Sequence, residues 1–385
     1  MSFLSQTYPG EWRTSPQGYS YYLPASLERS QKMSPPPLIV RQMQDASLAL
    51  GEFSSLIERI PNPQLFIHAY AKKEAVLSSR IEGTQTDIEE AFRQQEMVDL
   101  EKRDDWEEVN AYIQAMDSTL ELLRELPLCN RLIKQAHQRL LNQVRGKHKQ
   151  PGEFRNSQNW IGGSRPGNAH FVPPSHEHVP ELMGDLEKFV QQERLPMPEL
   201  INAALLHYQF ETIHPFLDGN GRLGRMLISL YLMEKKILKH PILYISTFLE
   251  KHRKDYYVSL DKARESEAGV LQWISFFLDA VEQTAKDGIQ VTQQLLSYDA
   301  ELKGEVVPQL GRQAKNAMLT LEMLYQIPVV NAKLLQEYLK FSPQISQNML
   351  RLLTENGILK EITGNKRNRL FVFHRYISLL EGSSV

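Results

Sequence analysis

The sequence predicts a mainly α protein, interrupted once by a β-hairpin in mid-chain and followed by a small basic unit of helices and strands. Three observations carry this. Across 38–126 and again across 178–287, apolar residues recur at spacings of three and four, with few β-branched runs. Gly and Pro crowd the segment 146–174 between them, which stops any helix there. The length of 385 residues allows about two or three domains at roughly 150 residues each. No internal repeat period is evident.

Taken in order, the first forty residues are turn-rich and aromatic, with Trp12, Tyr19, Tyr21, Tyr22 and the run Pro35-Pro36-Pro37. They predict an extended arm lying across a folded body; an arm for interaction is the alternative. Residues 38–126 predict several antiparallel helices. Within them, Asn62-Pro63 starts a helix over 63–81, whose apolar residues Phe66, Ala69, Tyr70, Val76, Leu77 and Ile81 lie on roughly one side. Gly83 ends it, and Thr86 with Glu89 predicts a capping box for the next helix. A helix over 130–144 follows. The runs Asn159-Trp160-Ile161 and His170-Phe171-Val172 flank a Gly-rich tip and read as a hairpin. Helices resume at 178–192, 197–212, 222–236 and 253–287. The polar stretch 290–312, with Gly304, Pro308 and Gly311, reads as a helical or irregular connector. The expected division is therefore 1–125, an arm and helical region; 126–290, the main core; 291–312, the connector; and 313–385, a separate unit.

Composition narrows the chemistry. Forty-four Lys and Arg against 46 Asp and Glu give a net charge of -2, which excludes a polycation that coats nucleic acid along its whole length. A single cysteine, Cys129, forms neither an internal disulfide nor a multi-thiolate metal cage, and reads as a small buried hydrophobe. No apolar run approaches the roughly 20 residues of a membrane helix, and residues 1–9 lack a basic stretch followed by an apolar one. A soluble, cytoplasmic protein is expected.

The most specific string is His214-Pro215-Phe216-Leu217-Asp218-Gly219-Asn220-Gly221-Arg222-Leu223-Gly224-Arg225, placed between two predicted helices. Gly219 and Gly221 permit positive φ and close backbone approach, and the following helix presents unpaired amide donors, so together they make an anion nest. Asp218 supplies the hard oxygen that Mg²⁺ prefers when it bridges phosphates. Arg222 and Arg225, three apart on one helical face, can grip phosphate oxygens. His214 has the only nearby side chain suited to taking a proton from a hydroxyl near neutral pH. Each part alone has an ordinary reading: a structural His-Pro, a plain turn, or a solvated pair of arginines.

The whole string resembles the signature His-Pro-Phe-x-(Asp/Glu)-Gly-Asn-Gly-Arg-x-x-Arg of the Fic family, and the flanking helices extend the resemblance over roughly 60–290. The resemblance implies a Fic fold and adenylylation, the transfer of AMP from ATP to a protein Ser, Thr or Tyr hydroxyl, self-modification included. It implies that His214 is the base, that Asp218 holds Mg²⁺, that Gly219, Asn220, Gly221 and Arg222 cradle phosphates, and that Arg225 holds the γ-phosphate. Phe216 would be an apolar anchor. Doc kinases carry Lys where this chain has Gly219, which favours nucleotidyl transfer over phosphorylation. The hairpin, around 158–172, corresponds to the family's flap, which adds the target's backbone as a strand. Tyr256 and Tyr257 fall where relatives line the adenine pocket with an aromatic ring; the sequence does not choose between them.

Glu82 lies in the last turn of the 63–81 helix, where the helix dipole disfavours a carboxylate by about 0.3–1 kcal/mol. A cationic partner would compensate, and a surface Glu tolerated at small cost is the alternative. Ser78-Ser79-Arg80-Ile81-Glu82-Gly83 resembles the family's inhibitory motif, with Ser78 first and Gly83 last. The resemblance implies that Glu82 pairs with Arg225, displaces the γ-phosphate and autoinhibits the enzyme. In some relatives that Glu helps remove AMP, so de-AMPylation is a second direction.

Within 315–375, nine Lys and Arg stand against four Glu, a balance of +5. Helical patterns at 318–325, 331–339 and 343–356 precede two apolar runs, 358–362 and 370–373, joined by a basic tip, an order that resembles a winged helix-turn-helix. In a DNA reading through 342–369, Gln344, Ser346, Gln347, Asn348 and Arg351 reach base edges while Lys366, Arg367 and Arg369 contact phosphates. In the other, the unit serves homodimerisation or protein docking. The first makes the chain a DNA-binding regulator with a nucleotide-sensing Fic core.

Overall fold

The computed structural model describes residues 8–60, 62–141 and 148–382; the predicted helix end at 142–144, the start of the Gly-Pro segment at 146 and the carboxy-terminal residues 383–385 lie outside them. The arm is not merely extended. Strands β1 (Gly10–Thr14) and β2 (Ser20–Pro24) form an antiparallel hairpin in which Trp12 faces Tyr22. Gly18, at φ 84°, makes the turn between them, and aromatic residues on either side favour the pleated surface. Pro37 then occupies the first turn of α1 (Pro37–Glu58), where its missing N–H costs no hydrogen bond.

The helices α2 (Pro63–Ile81), α3 (Ile88–Ala91), α4 (Arg103–Leu122) and α5 (Asn130–Leu141) follow. The capping box opens one residue later than predicted. Asp87, rather than Thr86, accepts from the amide of Glu90 (2.7 Å), and the Glu90 carboxylate accepts from the amide of Asp87 (3.4 Å). Next come α6 (Val179–Gln191), α7 (Glu199–Ile213), α8 (Asn220–Glu234), α9 (Ser246–Lys251), α10 (Arg253–Glu265) and α11 (Glu267–Glu301). The stretch predicted as one helix over 253–287 is broken at Ser266, whose extended backbone turns the chain and whose hydroxyl caps α11 at the amide of Gly269 (3.1 Å). Gly269 is required at this turn: a Cβ there would lie 1.9 Å from the Lys262 carbonyl oxygen.

α7 is buried on every side from Leu200 to Ile213 and forms the axis of the body, with α6, α8 and α11 packed against it. A mostly apolar helix with no polar face belongs in a core. α1 runs along α11, and the two approach where Gly288 leaves room for the ring of Phe53.

α11 does not stop at the predicted connector. It continues through residue 291 to Glu301, then passes through a π-helical turn (Leu302–Val306) and α12 (Val307–Gln309). Beyond it, α13 (Ala314–Leu324), β3 (Val329–Val330), α14 (Ala332–Leu339), α15 (Pro343–Glu355), β4 (Lys360–Glu361), β5 (Phe371–Val372) and α16 (His374–Glu381) make a helical cluster with an antiparallel sheet of order β3-β5-β4. β3 and α16 escape the sequence pattern. Ser346 is wholly buried, with its hydroxyl on the Ser342 carbonyl, so it does not face outward with Gln347. Arg369 pairs with Glu361 (3.5 Å) and Arg351 with Glu355 (2.8 Å). α16 packs back on α2, α3 and α11. No helix among the described residues is long and apolar enough to cross a membrane.

Candidate functional site

The site forms where α7 hands over to α8. His214 caps α7 in the left-handed region, at φ 49° and ψ 60°, a conformation that costs a non-glycine residue about 1–2 kcal/mol. Hydrogen bonds hold it there. Its amide donates to Phe210 (2.9 Å), and its carbonyl accepts from Arg155 Nε (2.9 Å) and Asn159 Nδ2 (3.2 Å).

Phe216 anchors the loop below. Its ring is buried and stacks on His137 at 3.7 Å between centroids. The Gly152 amide donates to His137 Nδ1 (2.8 Å), so His137 Nε2 carries the proton and donates to the Asp218 carbonyl (3.0 Å). Burial holds this ring down to about 4, so it is neutral. Asn220 braces the loop in both directions: its Oδ1 accepts from the Phe216 amide and its Nδ2 donates to the Phe216 carbonyl, each at 2.9 Å. Asn220, expected in the phosphate cradle, uses its side chain to brace the loop's own backbone, while its main-chain amide stands at the start of α8.

Of the two loop glycines, only Gly219 needs positive φ, at 74°. Gly221 is helical, and what it supplies is space: a Cβ there would lie 2.1 Å from Glu82 Oε1 and 3.0 Å from Arg225 Nη1. Glu82 caps α2, and Gly83, at φ 111°, carries the chain away. Its carboxylate therefore lies against the first turn of α8, where a helix N-terminus favours negative charge. This offsets the unfavourable position at the end of its own helix.

Arg225 joins the two helices. Its Nε donates to Ser78 Oγ (2.9 Å), and its Nη2 donates to the Ser78 carbonyl (2.8 Å) and to Glu82 Oε1 (2.8 Å). The Arg225 side chain is 1% exposed and that of Glu82 36%, so the pair joins a buried cation to a carboxylate that reaches the surface. Desolvation works against the Glu82 charge, but Arg225 outweighs it and holds the carboxyl below its ordinary value. Arg222, also buried, contacts Glu108 on α4 (3.4 Å).

His214 Nδ1 lies 3.9 Å from Glu211 Oε2. Burial, reinforced by Arg155, pushes the imidazole down to about 4, while Glu82 opposes. The ring is neutral at physiological pH and able to accept a proton. Burial pushes Glu211 itself up to about 7. A second buried carboxyl, Glu74 on α2, is likewise pushed up to about 7 by burial; it accepts from the Ser246 amide (3.3 Å) and hydroxyl (2.5 Å) and from Tyr112 (3.4 Å).

The two tyrosines separate. Tyr256 is sunk in the core, with its hydroxyl on His207 Nε2 (2.9 Å), and His207 Nδ1 meets the Gly224 carbonyl (2.9 Å). Tyr256 is thus removed from the adenine-pocket expectation. Tyr257 is 38% exposed and near enough to Glu82 and Arg225 to feel both charges.

The mid-chain hairpin closes on one antiparallel bridge, Ile161 to Phe171. Its tip is tied by Asn168 Oδ1, which accepts from the amides of Ser164 (3.0 Å) and Arg165 (2.9 Å). β2 extends it, because the Tyr22 amide donates to the Val172 carbonyl (2.9 Å). His170 contacts Asp261 on α10 (2.7 Å), and Arg264 lies over the Phe171 ring at 3.7 Å.

Sequence reasoning thus brought together His214, Asp218, Gly219, Asn220, Gly221, Arg222, Arg225, Ser78, Glu82 and Gly83. It missed Arg155, Asn159, His137, Glu211, Glu74 and His207. The faint signals for them were polar residues in apolar or turn-rich surroundings: Arg155 after Pro151-Gly152-Glu153-Phe154, and His207 and Glu211 on a predominantly apolar helix.

This architecture, a buried α7–α8 axis with a left-handed histidine over a glycine loop and a hairpin above it, is a mainly α Fic-type fold. It is similar to a Fic family protein from Desulfovibrio desulfuricans G20, with a TM-score of 0.56 and 19% identity, covering 88% of this chain and 97% of that one. It is also similar to a Fic domain containing signaling protein from Bacteroides thetaiotaomicron VPI-5482, with a TM-score of 0.51 and 19% identity over 65% and 97% of the two chains. Residues 40–121 match the Fic/DOC family N-terminal model, and residues 127–232 match the Fic/DOC family model. In sequence the chain is 28% identical over 279 residues to the protein adenylyltransferase Fic of Drosophila virilis, covering 70% of this chain and 53% of that protein. It is 29% identical over 246 residues to the Drosophila persimilis protein of the same name, covering 63% and 44%. The chain spans about half the length of the curated relatives it matches.

Proposed function

We propose that the chain is a protein adenylyltransferase, transferring AMP from ATP to a Ser, Thr or Tyr hydroxyl of a target protein and of itself, and that Glu82 restrains it. The observation that carries this reading is the Glu82 carboxylate seated between Arg225 and the first turn of α8, against Gly221. The loop and helix end that would receive a phosphate already hold an anion.

In the transfer, the target oxygen bonds to the α-phosphorus as the bond from that phosphorus to the β-bridging oxygen breaks, and pyrophosphate leaves. The hydroxyl proton passes to His214, whose neutral ring is ready to accept it. Gly219, Gly221, Arg222 and Arg225 orient the triphosphate, so the catalysis is positional and electrostatic. Arg225 does this only once Glu82 has left it. Asp218 would hold Mg²⁺, which neutralises phosphate charge when bound. One carboxylate suits an ion that takes its other oxygens from phosphates and water, and among the described residues no group of three carboxylate, His or Cys ligands gathers. Tyr257 packs on the adenine, and the target enters along 158–172 as an added strand.

Intact-mass measurement after incubation with Mg²⁺ and ATP tests the reading. The Glu82→Gly variant is expected to gain AMP faster than the parent chain, and adding His214→Ala to it is expected to abolish the gain. Equal labelling of parent and Glu82→Gly would remove the brake; no adduct on Glu82→Gly would remove the transfer.

A further inference from the structure

The base of the flap contains a cation with an unusual set of partners. Arg155 is 2% exposed, yet all the hydrogen bonds its side chain makes among the described residues go to main-chain carbonyls. Nε donates to His214 (2.9 Å), Nη1 to Ser157 (3.2 Å), and Nη2 to Pro174 (2.5 Å) and Ile213 (3.4 Å). Its own amide donates to the Pro215 carbonyl (2.9 Å). Burying a guanidinium without a carboxylate is unfavourable, and five donations converge on 213–215 and on the two limbs of the flap.

We infer that Arg155 is a positioning residue for His214: by tying the carbonyls of Ile213 and His214 to those of Ser157 and Pro174, it fixes the left-handed turn that directs the His214 ring and couples that direction to the flap. Removing the fork frees a non-glycine residue from a backbone conformation it does not favour. The same guanidinium acts on the ring through space. The groups facing His214 are Arg155 from the flap base, Glu82 from the end of α2, Glu211 on α7 and Arg264 on α10. Burial lowers the ring most, Arg155 comes next, Arg264 adds to it, and Glu82 and the Glu211 backbone oppose. Arg155 therefore aims the base and adds to the burial that keeps it unprotonated.

Two variants, Arg155→Gln and Arg155→Lys, test this in the full chain. The kinetic arm rests on the proposed transfer; the titration arm does not. In the first arm, the His214 ring is followed by NMR against pH, identified by its loss in His214→Ala. Its midpoint is expected to move up in Arg155→Gln, which lacks the charge, and to stay near the parent value in Arg155→Lys, which keeps it. In the second, self-labelling is measured in the Glu82→Gly background. There kcat is expected to fall by about tenfold to 10²-fold in both variants, because neither reproduces the planar fork, while KM for ATP changes by less than about twofold.

An unmoved midpoint in Arg155→Gln overturns the electrostatic role, and an unchanged kcat, or a KM rising in step with its fall, overturns the positioning role. If Arg155→Gln does not fold, Arg155→Lys decides: lowered kcat at the parent midpoint supports the inference, and parental kcat overturns it. If no variant labels at all, the transfer reading fails and the titration alone judges Arg155.

Discussion

Burial of the His214 ring, with Arg155 and Arg264 beside it, outweighs Glu82 and holds the imidazole down to about 4. The sign matters for catalysis: a lowered value leaves the basic form populated well below pH 6.5. In the Glu82→Gly variant the opposing carboxylate is gone, so the acid limb moves lower still. Initial labelling rates are therefore expected to stay level from about pH 8 to about 5.5, and a halving near pH 6.5 would show an ordinary, solvated histidine. The residues of 214–225 were legible because their chemistry is written in contiguous side chains of fixed type. Arg155 was not, because it acts on carbonyl oxygens, which every residue carries and no sequence pattern marks. Tyr256 and Tyr257 were inseparable for a related reason: adjacent positions on a helix differ by about 100° in direction, and only the packing of His207 and Trp273 against Tyr256 decides which turns inward.

At the level of elements, glycine substitutions separate packing from propensity. A Cβ at Gly288 on α11 would sit 2.4 Å from the Phe53 ring of α1, so Gly288→Ala is expected to cost about 1–3 kcal/mol by overpacking. Gly184, inside α6, has nothing within 4 Å of such a Cβ. There Gly184→Ala is expected to stabilise by about 0.5–1 kcal/mol through the lost flexibility of the unfolded chain. Urea midpoints of the two variants should move in opposite directions; the same direction would refute the packing argument. The long helices were readable from their apolar spacing, and α2 was placed at both ends by Pro63 and Gly83. The run of α11 through the expected connector was masked because its buried stripe there includes Gly288, Thr292 and Tyr298 beside Val291 and Leu295, and because Gly304, Pro308 and Gly311 just beyond it read as helix breakers. The β1–β2 hairpin was hidden because its turn, Ser15 to Tyr19, lacks the Asn-Gly or Asp-Gly pair that marks short hairpins.

Across the whole molecule, buried titratable groups set the response to acid. His137, His207 and His214 are held down by burial to about 4, about 3 and about 4. Below pH 6.5 the unfolded chain binds protons that these rings refuse, so each removes stability as pH falls. Glu74 and Glu211, pushed up to about 7, take up protons in the fold first and add stability as pH falls from about 7 to about 4.5. His68 and His178 are held down by burial as well, so the histidines outnumber the two glutamates until Asp117, Asp185, Asp279 and Glu381, raised by burial, begin to protonate; stability is expected to decline across that window, by about 1.4 kcal/mol per pH unit for each histidine left uncompensated. Below it the decline steepens, because the two carboxyls no longer help and Glu82, held low by Arg225, begins to lose its charge. Urea unfolding at pH 7, 5.5 and 4.5 checks this, and a gain in stability toward pH 4.5 would contradict it. The anchoring of α2 has a further consequence, for the nucleotide. Glu74 pins the middle of that helix to α9, Ser78 is buried under Arg225, and Ser79 and Ile81 are buried as well, which leaves the half-open Glu82 side chain as the part that can swing. Opening the latch is then a rotation of the Glu82 side chain about a few single bonds, with the ion pair to Arg225 as the contact that must break. No helix has to leave its place, so a nucleotide would compete for Arg225 with one side chain rather than with a whole packed element.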